Sequence, residues 1–433
     1  MENLIKTYKN PTAEQKQQLL ERGIDDMPAV RKTVSDIFDD VRRRGDEALR
    51  DYERYFDGVE LDSLRVDEKE IADAESKVPE ELKAALKVAY DNIYRFHAAQ
   101  QAAPIAVETT KGVTCYQRSR PIGCVGLYIP GGSAPLFSTV LMLAVPAKIA
   151  GCERVILCSP PDKKGKINPA ILYAANLAGV KEIYRIGGSQ AIAAMAIGTE
   201  TVPRVYKIFG PGNRFVMEAK LLAGSLGVAI DMPAGPSEVM IIADGSADAE
   251  FVAADLLSQA EHGPDSQVIL LTTDESLATN VESEVERLLS GLPRRNLIEK
   301  SLSHSRIIIA NSDKEMIEFA NDYAPEHLII NHSKAMELVE QVENAGSVFI
   351  GEYACESAGD YASGTNHTLP TSGFAHAYSG VNLDSFMKKI TYQTISAEGI
   401  RNLGATIVTL AKNEGLEAHA LAASIRMKKA ESR

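Results

Sequence analysis

Short apolar runs alternate with helical stretches through the middle of the chain, and this alternation restricts the fold more than any other feature. Regular succession of strand, helix and strand is typical of parallel α/β units. The chain contains two such series, separated near residue 235. We therefore predict strands at 124–129, 155–158, 182–186, 205–209 and 228–230, then at 239–243, 267–272, 305–310, 328–330 and 347–350.

Helical periodicity dominates both ends of the chain. Residues 12–15 (TAEQ) have the pattern of a capping box, and apolar residues recur at helical spacing over 30–43 and 79–101. The segment 385–429 also favours helix. We therefore predict an α/β protein with two Rossmann-like parallel domains, a helical N-terminal arm and a helical C-terminal tail.

The composition excludes several functional classes. A chain of 433 residues is too long for one ordinary core, so we expect two or more domains. The net charge of -13 and the pI near 5.3 argue against nucleic-acid and anionic-membrane partners. The N-terminal segment lacks the apolar core of a signal peptide, and no apolar run is long enough to span a bilayer. We expect a cytoplasmic protein.

The cysteines indicate reduced thiols. Their number is odd, and no Cys-x-x-Cys pair occurs, so neither a disulfide framework nor a sulfur-bound metal is expected. Cys124 and Cys152 lie in apolar sequence without a neighbouring histidine, and this context favours small buried residues over a nucleophile. The five positions are Cys115, Cys124, Cys152, Cys158 and Cys355.

The end of one predicted helix, over residues 247–260, carries a pair of candidate metal ligands. Gln259 and His262 lie three residues apart and share a helix face, and Gly263 and Pro264 then end the helix. Imidazole suits zinc, whereas glutamine is a rare ligand. Taken alone, the pair is either part of a metal site or a polar helix end.

Carboxylate and imidazole groups recur where loops are expected. Glu326 and His327 are adjacent before an apolar strand, and Asp360 and His367 lie within residues 357–367. Adjacent side chains point apart on a strand and diverge by about 100° on a helix. Glu326 and His327 can therefore act on one substrate only if Pro325 distorts the backbone. The alternative is an ordinary surface turn ahead of the strand.

Glycine-rich turns follow strands of the first α/β series at residues 130–133, 187–190 and 210–213. Each turn could present backbone N–H groups and a helix N-terminus to a pyrophosphate. None has the complete G-x-G-x-x-G fingerprint, because Phe215 stands where the third glycine of the last turn belongs. As isolated features, these are either dinucleotide contacts or ordinary strand-to-helix turns.

With these motifs together, the chain resembles the histidinol dehydrogenase family, which uses zinc and NAD to oxidise L-histidinol through the aldehyde to L-histidine. The resemblance covers nearly the whole length. Its most specific pieces are residues 231–238 (DMPAGPSE), 259–263 (QAEHG), 324–328 (APEHL), 357–367 (SAGDYASGTNH) and 413–420 (NEGLEAHA).

The resemblance implies a role for each matching residue. The catalytic pair is Glu326 and His327. The remaining implied contacts are zinc ligands at Gln259, His262, Asp360 and His419; substrate contacts at Ser237, His367 and Glu414 together with Gln259, His262, His327, Asp360 and His419; and NAD contacts at Tyr128, Gln190 and Asn213. One zinc ion per subunit and NAD are the expected cofactors.

The reaction requires unlike roles for the two catalytic residues. Oxidation of a primary alcohol to a carboxylate removes two hydrides and adds one water, so one substrate consumes two NAD. His327 suits a base that takes the hydroxyl proton in the first step and a proton from the hydrated aldehyde in the second. Glu326 would activate the water, and Glu414 would accept the substrate's imidazole N–H.

Three other functions are considered. A related zinc and NAD dehydrogenase could oxidise a sulfonated diol such as 2,3-dihydroxypropane-1-sulfonate, but Glu414 would repel the sulfonate. A small-molecule binding protein with a structural zinc would leave Glu326 and His327 idle. A zinc hydrolase is disfavoured because no His-Glu-x-x-His occurs. His97, His304, His332 and His376 receive no role.

The expected organisation has four parts. Residues 1–25 form the arm, residues 26–125 and 238–380 form a discontinuous α/β domain with the metal and catalytic residues, residues 126–237 form an inserted NAD-binding domain, and residues 381–433 form the tail. The tail has little core of its own and therefore needs a partner. The resemblance implies a homodimer with shared active sites.

Overall fold

The computed structural model describes residues 4–22, 27–131 and 135–432. Gly132 and Ser133 of the first glycine-rich turn lie outside the described residues, as do residues 1–3 and 23–25 of the predicted arm and residue 433 of the tail.

The strands of the described residues are β1 (Lys6–Lys9), β2 (Ile105–Thr110), β3 (Val113–Pro121), β4 (Cys124–Tyr128), β5 (Arg154–Ser159), β6 (Glu182–Arg185), β7 (Lys207–Phe209), β8 (Ala229–Ile230), β9 (Glu238–Ala243), β10 (Gln267–Thr272), β11 (Arg306–Ile309), β12 (His327–Asn331), β13 (Ser347–Ile350) and β14 (Met387–Ile395).

The α-helices are α1 (Ala13–Leu20), α2 (Met27–Arg44), α3 (Asp46–Tyr52), α4 (Glu68–Asp73), α5 (Glu80–Ala98), α6 (Phe137–Ala150), α7 (Pro169–Ala178), α8 (Gly188–Ile197), α9 (Arg214–Ser225), α10 (Ala249–Ala260), α11 (Glu275–Leu289), α12 (Arg295–Leu302), α13 (Asp313–Tyr323), α14 (Ala335–Leu338), α15 (Glu356–Tyr361), α16 (Ala397–Asn413) and α17 (Glu417–Glu431). Short turns are π-helical at Glu53–Asp57 and 3-10 helical at Ala74–Lys77, Val339–Gln341, Phe374–His376 and Leu383–Phe386.

The first α/β series forms a five-stranded parallel sheet in the order β6-β5-β4-β7-β8. Side chains of a strand alternate between the two faces. Val125 and Leu127 of β4 therefore pack with α5, α6 and α7, whereas Tyr128 packs with α2, α8 and α9 on the opposite face. Helices cover both faces of this sheet, as expected for a parallel α/β unit.

The second series forms a six-stranded parallel sheet in the order β1-β11-β10-β9-β12-β13, called here the large sheet. Val239 and Ile241 of β9 pack with α10, α11 and α12, whereas Met240 and Ile242 pack with α13 and α1. The prediction of two parallel α/β units is confirmed, with every predicted strand present near its expected bounds.

A third sheet was not predicted. Strands β14, β3 and β2 form an antiparallel sheet, in which Met387 pairs with Pro121 and Ile395 pairs with Val113. The prediction of continuous helix over 385–429 is therefore wrong for its first part, and α16 begins only at Ala397. The alternation of Ile390 and Tyr392 with polar residues favours a strand, and the partner that stabilises it lies far away in the sequence.

The helical arm also needs a correction. Strand β1 precedes α1 and adds an edge strand to the large sheet, where Lys6 pairs with Arg306 and Lys9 pairs with Ile309. The capping box at the start of α1 is confirmed: Thr12 and Gln15 exchange hydrogen bonds between side chain and backbone. None of the described helices combines the length and apolar character needed to cross a membrane.

A buried ion pair stabilises the turn between β7 and α9. The Lys220 ammonium contacts Asp231 and donates to the Gly210 carbonyl oxygen at 3.0 Å, and the Gly210 N–H donates to Asp231 Oδ2 at 2.8 Å. Gly210 has a φ of 135°, and a Cβ there would lie 2.1 Å from the Tyr128 carbonyl oxygen. The ion pair and the missing side chain together define the path of this turn.

We predict that Lys220→Met strongly destabilises the protein. The substitution leaves the Asp231 carboxylate, whose side chain is 0% exposed, without its cation. Loss of one partner from such a pair costs about 3–5 kcal/mol. Lys389→Met is the matched control, because the Lys389–Asp384 pair is exposed and worth about 0–1 kcal/mol. Equal shifts of the thermal unfolding midpoint in both variants would contradict the prediction.

Candidate active site

The side chains of the two adjacent candidate catalytic residues, Glu326 and His327, both contact the backbone of Glu238. Helix α13 ends at Tyr323, Ala324 adopts a left-handed conformation with φ 51°, and β12 begins at His327. Glu326 Oε2 accepts from the Glu238 N–H at 2.8 Å, and His327 Nδ1 lies 3.2 Å from the Glu238 carbonyl oxygen. The distortion required for a shared role therefore exists, and Ala324 contributes to it ahead of Pro325.

Burial couples these two side chains electrostatically. Glu326 and His327 are 6% and 3% exposed, and Glu326 Oε2 lies 3.6 Å from His327 Nδ1. Burial raises the pKa of Glu326 well above its ordinary value. Burial also opposes the charged form of His327, but the carboxylates of Glu326, Glu356 and Asp360 outweigh it and raise the pKa of His327. The neighbouring carboxylates therefore favour the protonated form of the His327 ring.

Three of the predicted zinc ligands lie beside this pair. The Gln259 side chain is fully buried at the end of α10, and His262 follows just after the helix. His262 Nε2 lies 3.9 Å from Asp360 Oδ2, and His327 Nε2 lies 3.5 Å from Asp360 Oδ1. Contact between α10 and α15 brings the ligands together.

Glu356 is a site residue that the sequence analysis missed. It is 1% exposed and begins α15, one turn before Asp360. The Gln259 amide satisfies its neighbours when its nitrogen donates to Glu356 and its oxygen accepts from the Glu238 N–H at 3.1 Å. The spacing of four residues between Glu356 and Asp360 places both on one helix face, and this was the available signal.

The charge of the cluster favours a bound cation. Burial raises the pKa of Glu356 well above its ordinary value, and the nearby carboxylates of Asp360, Glu326 and Asp255 raise it further. Ligand atoms of His262, Glu356 and Asp360 all lie within 4.8 Å of one another. Burial of so many carboxylates is unfavourable without compensating positive charge. The donor set therefore fits a divalent metal ion of the zinc type.

Two unpartnered polar atoms support the same conclusion. Within the described residues, His327 Nε2 and Asp360 Oδ1 are buried and lie 3.5 Å apart, but neither forms a hydrogen bond. Buried polar atoms are almost always paired, so these two atoms indicate positions where a ligand or substrate binds. Burial alone would raise the pKa of Asp360, but contact with His327 lowers it, so this carboxylate is available as an anionic ligand.

His367 connects the cluster to the five-stranded sheet. Its Nε2 lies 3.3 Å from the hydroxyl of Thr139, which is buried in the first turn of α6. The charges of Asp360, His327 and His262 all act on the pKa of His367, although burial has the largest effect and lowers it. The predicted substrate contact therefore lies between the catalytic cluster and the sheet that carries the predicted NAD residues.

Two histidines without an assigned role differ from the sequence expectation. His97 is fully buried, and its Nε2 lies 3.4 Å from the amide nitrogen of Asn366, next to His367. His332 was expected to have no companions, yet its ring nitrogens lie 3.6 Å from Asp244 and 3.4 Å from Asp313. In both cases these partners are far away in the sequence, so local sequence pattern did not predict them.

Two predicted residues lie outside this cluster. Glu414 caps the C-terminal end of α16, and His419 lies in the first turn of α17; both side chains are exposed. Helix α16 packs against α17, β2 and β14. Among the described residues, no hydrogen bond or ion pair joins Glu414 or His419 to the cluster. Ser237 does lie beside it, immediately before Glu238.

The predicted NAD residues follow strands of the five-stranded sheet. Tyr128 ends β4 and accepts from the Gly188 N–H at 3.0 Å, and Gln190 lies in the first turn of α8. Asn213 is exposed and caps α9 by accepting from Phe215 and Val216. A cavity of about 780 Å³ opens at this edge, lined in part by Gly131, Ser159 and Pro160.

Glu53, which the sequence analysis also missed, supports this edge from a separate segment. The carboxylate is 0% exposed and accepts from the Gly187 N–H at 3.1 Å and from Gln190 Nε2 at 3.0 Å. Burial raises the pKa of Glu53 to about 8. Because the π-helical turn that carries Glu53 has no distinctive sequence pattern, the sequence did not indicate this residue.

Comparison with known proteins gives a consistent result. The family model described as histidinol dehydrogenase matches residues 20–427. Histidinol dehydrogenase from Bacteroides fragilis is 56% identical over 98% of this chain and 99% of its own length. The enzyme of that name from Escherichia coli K12 is 53% identical, covering 98% of each chain. The crystal structure of histidinol dehydrogenase from Elizabethkingia anophelis superposes with a TM-score of 0.97 and 51% identity, covering 99% of each chain.

Proposed function

The chain belongs to the histidinol dehydrogenase family, and we propose that it oxidises L-histidinol to L-histidine through L-histidinal, with two NAD reduced per substrate. The protein is an NAD-dependent oxidoreductase of histidine biosynthesis. One observation carries the proposal from the structure: Glu326 and His327 converge with Gln259, His262 and Asp360 in one cluster, which is buried except at the exposed His262 side chain.

Zinc is the proposed metal, one ion per subunit. Gln259, His262 and Asp360 would hold it, with His419 as the fourth ligand. The unpartnered Asp360 oxygen and the excess of buried carboxylates support this assignment. When bound, zinc would orient the substrate's amino and imidazole groups, and NAD would accept the electrons of each oxidation.

NAD is proposed to bind at the carboxyl edge of the five-stranded sheet, with contacts from Tyr128, Gln190 and Asn213. Ligands of open parallel sheets usually bind outside the carboxyl ends of the strands. The contact between Thr139 and His367 supports a cofactor site that adjoins the proposed catalytic cluster.

The proposed acid–base roles follow from the positions of the side chains. His327 lies between Glu326 and Asp360, so these carboxylates would stabilise the imidazolium that forms when the neutral ring takes a proton from the substrate hydroxyl in the first step, and again from the hydrated aldehyde in the second. Glu326, anchored by the Glu238 N–H, would activate the water that attacks the aldehyde. Ser237, His367 and Glu414 are the further proposed substrate contacts.

The alternative functions have less support. The relatives of high identity carry the name histidinol dehydrogenase, so the comparisons do not support the oxidation of a sulfonated diol. A binding protein with an idle pair is disfavoured because Glu326 and His327 are oriented by the same backbone unit and face a buried acidic cluster.

A homodimer with shared active sites is the proposed assembly. His419 and Glu414 lie away from the cluster that needs them, on a tail with exposed apolar side chains: Leu410, Leu416, Leu421 and Ile425. A second copy would cover this face and bring the tail residues to the partner's cluster. The four-part division at residues 25, 125, 237 and 380 and a cytoplasmic location remain part of this proposal.

The central test is an assay of metal-stripped protein with L-histidinol and NAD, before and after zinc is returned. We expect two NADH per histidinol and activity that zinc restores, because the buried carboxylates need the cation. A stoichiometry of one NADH, or activity that is indifferent to chelation, would contradict the proposal.

Glu326→Gln should separate the two half-reactions. Glutamine can still accept from the Glu238 N–H, but it cannot activate water, so oxidation of supplied histidinal should fall by about 10² or more. Oxidation of histidinol should retain much of its rate in single-turnover measurements. Glu318→Gln, at an exposed position of α13, is the matched control. Equal losses in both half-reactions would refute the assignment of water activation to Glu326 alone.

Complementation tests the shared site. His262→Asn chains and His419→Asn chains should each be inactive alone. In the isolated heterodimer, one of the two sites combines an intact His262 with an intact partner tail, so about half of the wild-type activity should return. A heterodimer of two differently tagged His262→Asn chains is the control and should stay inactive. A dead mixed heterodimer would show that each chain supplies its own tail.

A further inference from the structure

An arginine of the N-terminal arm forms a two-pronged ion pair beneath the catalytic cluster. Arg22 Nε donates to Glu238 Oε1 at 2.5 Å, and Arg22 Nη2 donates to Glu238 Oε2 at 2.9 Å. The Arg22 and Glu238 side chains are 22% and 4% exposed. Paired bonds of this kind fix the direction as well as the distance between two groups.

Glu238 passes this constraint to both catalytic residues through its backbone. Its N–H donates to Glu326 Oε2 at 2.8 Å, and its carbonyl oxygen lies 3.2 Å from His327 Nδ1. The Ser372 N–H also donates to Glu238 Oε1 at 3.1 Å. A shift of the Glu238 backbone would therefore move the hydrogen-bonding partners of Glu326 and His327 together.

Arg22 also contacts the segment that leads to the catalytic pair. Its Nη2 donates to the Tyr323 carbonyl oxygen at 2.8 Å, three residues before Glu326, and its guanidinium lies 3.8 Å from the centre of the Tyr323 ring. Tyr323 itself donates to Gln267 Oε1 at 2.5 Å. One side chain thus holds both the start of β9 and the end of α13.

We propose that Arg22 is a positioning residue for the oxidation, acting through Glu238 on Glu326 and His327. The inference rests on the proposed function. A role confined to anchoring the arm would affect stability alone, because the arm has other attachments, including the bonds from Arg306 to the Leu19 and Glu21 carbonyl oxygens. Positioning predicts instead a loss of turnover in folded protein.

The kinetic test compares Arg22→Gln, Arg22→Lys and the control Arg154→Gln with the wild type. All four proteins are loaded with zinc and assayed below their unfolding transitions. Arg22→Gln should lower kcat for both histidinol and histidinal by about 10- to 100-fold, as expected for a small misplacement of reacting groups. KM for histidinol and zinc content should change less than kcat does, because the proposed ligands His262 and Asp360 contact each other and make no bond to Glu238. The kcat of Arg22→Lys should lie between those of the wild type and Arg22→Gln, because lysine keeps the positive charge but cannot form two parallel hydrogen bonds with the carboxylate.

Arg154→Gln is the matched control. Arg154 forms the same two-pronged bond with Glu182, at 2.8 and 2.7 Å, on the surface of the five-stranded sheet. Its removal should leave kcat unchanged. If wild-type protein oxidises histidinol and Arg22→Gln turns over at the wild-type rate, the inference is overturned while the proposed function stands.

A double substitution tests whether Arg22 acts through Glu238. In Arg22→Gln, the Glu238 carboxylate is left buried without its cation, which is worse than removal of both charges. Arg22→Gln with Glu238→Gln should therefore recover kcat several-fold relative to Arg22→Gln alone. Independent, multiplicative losses of kcat would contradict transmission through Glu238.

A crystal structure of Arg22→Gln gives a readout that needs no activity. We expect the Glu238 N to Glu326 Oε2 distance, or the Glu238 O to His327 Nδ1 distance, to exceed about 3.5 Å, beyond a hydrogen bond. Unchanged distances would overturn the inference even if the wild-type protein proved inactive on histidinol, so the two proposals fail separately.

Discussion

The parallel pairing of β9 with β12 is the constraint on which the whole catalytic cluster depends. This register sets His327 opposite Val239, so the Glu238 backbone reaches both Glu326 and His327. The helix that follows β9 runs back to the same edge and ends with Gln259 there. A shift of one residue in the pairing would turn His327 to the opposite face and dismantle the cluster. Pairing of β9 with β12 in this register therefore also brings the residues of the cluster together.

Charge balance imposes a second constraint on this edge. The cluster concentrates carboxylates that burial makes unfavourable, and the groups that offset them come from separate parts of the chain. Arg22 of the arm neutralises Glu238. His327 lies between Glu326 and Asp360. The remaining negative charge, on Glu356 and Asp360, is the part that a divalent ion would balance. The site tolerates part of its acidity because Arg22 and His327 offset the charge of Glu238, Glu326 and Asp360.

Local pattern was sufficient to predict the two parallel sheets, because each buried strand is a short apolar run bounded by turns. It failed for β14 and β1, whose pairing partners, β3 and β11, are remote in sequence. Motifs identified Gln259, His262, Glu326, His327 and Asp360, and ion-pair contacts join the last four of these in the structure. Glu356 was missed although its spacing of four residues from Asp360 was a signal, whereas Glu53 and Arg22 were missed because their importance comes from what they contact. A lone buried acid or arginine has no distinctive sequence pattern.

The two sheets contribute opposite edges to the region between them. The proposed catalytic residues Glu326 and His327 lie at the start of β12, at the amino edge of the large sheet, whereas Tyr128 ends β4 at the carboxyl edge of the five-stranded sheet. Ligands of parallel sheets usually bind at the carboxyl ends of the strands. Here this rule applies to the five-stranded sheet but not to the large sheet. Strand-start positions suit the catalytic pair because free backbone groups such as the Glu238 N–H remain available to orient side chains. His367, bonded to Thr139 of α6, lies where the two edges meet. A substrate held there would face acid–base groups from one sheet and a cofactor from the other, which is the arrangement that two successive oxidations at one carbon require.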